Sequence, residues 1–122
     1  MREAIIENLK KIYPTYNITR HDNGTLKKPF LVLKMDSDIQ TMKGSFSTFN
    51  VYVYAPIKAP LMLDVATKKV ISSLNKKRLK KLSTEGSFFI EYTGAIGDFI
   101  EEKTDSLGRI IEFRIPKAKG SF

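Results

Sequence analysis

The chain of 122 residues has no cysteine and one histidine, and these two shortages remove most familiar reactive chemistry. Without cysteine there are no disulfides, zinc fingers, iron–sulfur clusters or thiol nucleophiles, although the count leaves the redox compartment open. The one imidazole, His21, stands in the turn-forming stretch His21-Asp22-Asn23-Gly24, where a sequence-adjacent aspartate rarely faces it productively. It reads as an exposed turn residue, with no partners for a Ser/His/Asp arrangement. Glu101 and Glu102 are neighbours on a predicted strand and point to opposite faces, so they form no local carboxylate dyad. Asp36 and Asp38 would share a face, but a hard-cation site needs more oxygen ligands than their segment offers. Gly94-Ala95-Ile96-Gly97 lacks the third glycine and the lysine of a phosphate cradle and reads as a turn. The expectation is a protein that is not an enzyme and uses no cofactor or metal.

Long apolar runs are also missing. Nothing approaches the roughly 18 residues of a membrane span, and Glu3 and Glu7 interrupt any signal-peptide core. A soluble protein that works where it is made, with no membrane partner, is expected. Acids are absent from residues 68–81, which hold Lys68, Lys69, Lys76, Lys77, Arg78, Lys80 and Lys81; without these seven the net charge of +8 falls to +1. The basicity is therefore local. A hydrophobic fraction of 42% is ordinary for a globular chain, and this length suits one domain, expected over residues 1–116 with 117–122 as a loose tail.

Ile5, Ile6, Leu9, Ile12 and Tyr13 recur at helical spacing, with Glu3 and Glu7 early, Lys10 and Lys11 late and Pro14 as the stop. A weak strand over 16–20 and a strand over 30–35 follow. Residues 36–45 read as a loop or the tip of a long hairpin, and 46–55 alternates strictly as a strand. Pro60 opens a helix to about Leu74 whose buried stripe is Leu63, Ala66, Val70, Ile71 and Leu74. The basic run then connects to a strand over 87–93 and a hairpin of 99–103 with 109–115. Two helices against this many strands predict an α+β fold: an antiparallel or mixed sheet of five to six strands with both helices packed mainly on one face.

Assigning Leu31, Leu33, Met35, Phe49, Val51, Val53, Phe88, Ile90, Ile111 and Phe113 to the helix-covered face leaves Phe30, Val32, Tyr52, Tyr54, Phe89 and Ile110 facing away. Together these six are a candidate subunit interface, unless the helices divide between the two faces and cover both. Lys76, Lys77, Arg78, Lys80 and Lys81 are a candidate contact for a polyanion or an acidic partner. A basic segment after a helix is also what the helix dipole favours without any ligand.

Several passages resemble the tail terminator, or tail completion, family of long-tailed bacteriophages and related prophage elements. They are Ile12-Tyr13-Pro14, Pro29-Phe30-Leu31-Val32-Leu33, Val51-Tyr52-Val53-Tyr54-Ala55, Leu63-Asp64-Val65, Phe89-Ile90-Glu91-Tyr92-Thr93-Gly94 and Ile111-Glu112-Phe113-Arg114-Ile115-Pro116, and they span nearly the whole chain. The resemblance implies a ring, usually hexameric, that caps the tail tube and offers a surface to head completion or connector proteins. The implied partners are further copies of the chain, the tube protein and the connector, with DNA passing through the ring. The implied location is the tail–neck junction of a virion assembled in the bacterial host cytoplasm. Rival readings are a head-closure protein of the phage neck and a small nucleic-acid-binding module using residues 68–81.

Overall fold

A computed structural model describes residues 2–17, 28–41, 44–80, 87–102 and 105–116. His21 and its turn, Lys81 and the segment 117–122 lie outside the described residues. In chain order the elements are α1 (Arg2–Lys10), β1 (Thr15–Asn17), β2 (Phe30–Thr41), β3 (Gly44–Pro56), α2 (Pro60–Leu74), β4 (Lys77–Lys80), β5 (Ser87–Glu101) and β6 (Ser106–Pro116). The six strands form one sheet in the order β1-β2-β3-β6-β5-β4; β1 and β2 run parallel and every other pair antiparallel. The fold is α+β with a mixed sheet.

Both helices lie on the same face. Ala4, Ile5 and Leu9 of α1 and Leu63, Ala66, Val70 and Leu74 of α2 share one core with Leu31, Leu33, Phe49, Val51, Val53, Ala55, Phe88, Ile90, Ile111, Phe113 and Ile115 of the sheet. Burying a side chain of this size favours the folded state by about 1.5–3 kcal/mol relative to leaving it exposed. The alternation in β3 and β6 thus fixes which face is covered: Phe49 and Phe113 are directly opposed in register, with ring centroids 5.2 Å apart. Asn8 ties the helices together, donating to the Ser73 hydroxyl and carbonyl. The core face expected from the alternation is the one observed, and the helices do not divide between the faces.

Of the two readings of residues 36–45, the structure has the end of a long hairpin: β2 runs to Thr41 and β3 begins at Gly44, with a register shift between Met35 and Asp38. Two elements differ from the sequence reading. Residues 77–80 form β4, paired with 87–90 of β5. The chain enters it through Lys76, at φ 58°, whose amide donates to the Ile90 carbonyl at 2.7 Å. Gly94-Ala95-Ile96-Gly97 is no turn; the segments expected as two strands, 87–93 and 99–103, are joined in β5 over Ser87–Glu101. Two irregularities, between Tyr92 and Gly94 and between Gly97 and Phe99, let one strand follow β6 from Glu91 to Glu101.

Candidate assembly surface

On the sheet face opposite the helices, register places side chains in rows. One row runs Phe30, Tyr54, Gly108, Phe99 across β2, β3, β6 and β5; the next runs Val32, Tyr52, Ile110, Ile96. Tyr16 meets Phe30 edge-on, Phe30 stacks on Tyr54 at 4.9 Å, and Phe99 meets Tyr54 edge-on at 6.1 Å. Phe99 reaches that position by lying over Gly108, where an added Cβ would stand 2.5 Å from its Cζ. The missing side chain is filled by a ring from the neighbouring strand. Burial pushes the Tyr54 hydroxyl up to about 12, with the Glu101 carboxylate and Tyr52 adding to the effect.

The six residues expected as a subunit interface do share this outer face, but they are not equally available. Phe30 is 1% exposed and Val32 7%, buried by the chain itself, which corrects their assignment as open surface. Tyr52, Tyr54, Phe89 and Ile110 are half-buried. Phe89 lies under the Arg78 guanidinium, 5.7 Å from its ring centroid, at the other end of the sheet from the aromatic row. The exposed large apolar side chains lie elsewhere: Ile96 (70% exposed), Ile100 (61%) and Tyr92 on β5, and Ile57, Leu61 (77%), Met62 and Val65 (49%) in and before the first turns of α2. The spacing of Leu61 and Val65, four apart and off the buried stripe, was the sequence signal for the second group.

The far half of β5, from Thr93 onward, has β6 on one side and no strand on the other among the described residues. Arg109 of β6 anchors it to the helix layer: its Nε donates to Asp98 at 2.9 Å, and an Nη pairs with Asp64 of α2 at 2.9 Å and reaches the Thr67 hydroxyl at 3.3 Å. The hydrogen bond to Asp98 leads in raising the guanidinium above its ordinary value; burial opposes it and Asp64 adds to it. Gly97 makes room for this, since a Cβ there would sit 3.0 Å from Arg109 Cγ. Sequence reasoning did not bring Asp64, Asp98 and Arg109 together, because they come from three separate elements.

The expected basic contact is divided by its own strand. Leu79 packs toward the core while Arg78 lies over Phe89 on the opposite face, so Lys77 and Arg78 stand on opposite sides of β4. Lys76 and Lys77 are exposed; the Lys80 side chain and Lys81 are outside the described residues. A more coherent basic feature is an open cleft of about 600 Å³ between the end of α1 and α2, lined by Lys11, Ile12, Lys68, Lys69, Ser72 and Ser73. Lys69 Nζ stands 5.6 Å from the Tyr13 ring centroid at this cleft. Among the described residues no group of three or more metal-ligating side chains is present, and no helix is long and apolar enough to cross a membrane.

No protein-family model matches this chain, and no curated protein matches it. A solved structure does. It is a chain of the virion of a native gene transfer agent particle, which superposes with a TM-score of 0.68 over 95% of this chain and 92% of its own length, at 17% identity. The two chains share a fold.

Proposed function

We propose that the chain is a structural protein of a phage-type virion and, within it, a tail terminator that closes the tail tube as a ring and presents the joining surface for the head. The observation that supports this reading is the fold shared, over nearly all of both chains, with a chain of a gene transfer agent virion. The sequence passages resembling tail terminators point to the finer role, and the exposed apolar side chains of β5 and α2 suit a chain that works by contact. In this reading the chain carries out no bond chemistry, and its partners are its own copies, the tube protein and a connector at the neck.

The test is removal of the gene from a phage or prophage that encodes this chain. Tails of uncontrolled length, unattached to filled heads, are expected, with normal tails restored by supplying the chain in trans. Tails of normal length lacking heads would point instead to a head-closure protein. Normal, infectious particles would contradict both.

A further inference from the structure

We infer that neighbouring copies of this chain meet head-to-tail, the far half of β5 of one copy lying along the outer face of α2 of the next. The inference rests on the ring reading for its closure, while the contact follows from two surfaces that complement each other. The first is the strand end from Thr93 to Glu102, where Ile96 and Ile100 stand exposed on opposite faces of β5, as the pairing of Ile96 with Ile110 and of Ile100 with Leu107 requires. Within this end Asp98 is already paired with Arg109, and Glu101 and Glu102 carry the negative charge at its tip. The second surface is the outer side of α2, where Leu61, Val65, Lys68 and Ser72 follow one another at helical spacing and all are exposed. Its first half is apolar and its second half basic, with Lys69 and Lys11 across the cleft reinforcing the charge.

The two patterns have matching lengths. Ile100 and Glu102 are about 7 Å apart along an extended chain, and Val65 and Lys69 about 6 Å along a helix. Ile100 can therefore meet the apolar half of α2 while Glu102, on the same face, meets its lysines, and Glu101 adds its charge from the other face. Charge also disfavours the simplest pairing, since two β5 ends brought together would bring Glu101 and Glu102 of both copies close to one another. A polyanion on the lysines would leave Leu61, Met62 and Val65 without a partner. One patch meeting a different patch on the neighbour is a heterologous contact, the kind that closes into a ring when the rotation permits.

Because the chain lacks cysteine, the contact is testable by targeted cross-linking of Glu102→Cys and Lys68→Cys proteins, both outside the core. When the two are mixed at high protein concentration and oxidised, the mixed dimer is expected to exceed either like-with-like dimer by about tenfold. Placing Glu101→Lys in the Glu102→Cys chain lowers its yield about tenfold. In chains without cysteine, the set Glu101→Lys, Glu102→Lys, Lys68→Glu and Lys69→Glu restores the self-association that either half abolishes, read by sedimentation. Equal yields in all combinations, or no cross-link, would overturn the contact. If closed oligomers form without it, this interface falls and the ring reading stands. Loss of oligonucleotide binding in Lys68→Glu/Lys69→Glu with unchanged sedimentation would overturn the contact in favour of a polyanion site.

Discussion

The two halves of β5 are one strand in two environments. Phe88 and Ile90 lie in the core beneath the helices, with β4 on one side; Ile96 and Ile100, a few residues on, project into solvent with no strand beyond them among the described residues. The near half shares the interlocked packing that holds the domain together. The far half is held by β6, by the ring of Phe99 over Gly108 and by Arg109, and it keeps large apolar side chains exposed. The covered part of the sheet thus contributes to the core, while its extension leaves large apolar side chains open to contact. Substitutions in the two halves should therefore fail in different ways.

The largest effect is expected at the centre of the covered half. Phe113→Ala removes a fully buried ring stacked on Phe49 and should lower unfolding free energy by about 3–5 kcal/mol, read by urea denaturation. Next comes the boundary: Gly108→Ala forces Phe99 out of its place and should cost about 1–2 kcal/mol. That cost should largely vanish in a Phe99→Ala background, a coupling that a double-mutant cycle measures. Arg109→Ala should cost about 1 kcal/mol, discounted because its partners Asp64 and Asp98 are partly solvated. It should speed amide exchange over 96–101 while leaving Val51 and Ile111 protected, which distinguishes loosening of the far half from global unfolding.

In the far half itself, Ile96→Ser and Ile100→Ser should change stability by less than about 0.5 kcal/mol yet weaken self-association in sedimentation. A loss of stability as large as that of Phe113→Ala would erase the proposed division. At neutral pH the smallest effect belongs to Tyr54→Phe. The folded hydroxyl is raised from 10.0 to about 12, so its neutral form is favoured by the fold. Stability is unaffected below about pH 10 and declines as pH rises toward 12, because the unfolded tyrosine ionises first. Urea midpoints measured across that range should fall less steeply in Tyr54→Phe than in the native chain.

Much of this architecture was legible in the residues. The limits of α2 follow from Pro60 and the stripe Leu63, Ala66, Val70 and Leu74, and the covered sheet face follows from period-two alternation in β3 and β6. What was not legible depends on neighbours distant in sequence. Gly94 and Gly97 resemble turn punctuation, but Gly97 is explained by the Arg109 stem lying against it from β6. The lysine-rich 77–80 has little apolar alternation, and its pairing with 87–90 makes it a strand. The outer apolar set was identified correctly by face, but exposure depends on what the rest of the chain covers. Phe30 and Val32 are enclosed, and the open positions shift to Ile96, Ile100, Leu61 and Val65.

The most direct measurement is an electron cryomicroscopy reconstruction of the tail–neck region of a particle that contains this chain. The account expects a closed ring of copies at the head-proximal end of the tube, with the α+β fold described here in every subunit. Density for the chain in the capsid shell, or isolated single copies with no ring at the tube end, would contradict it.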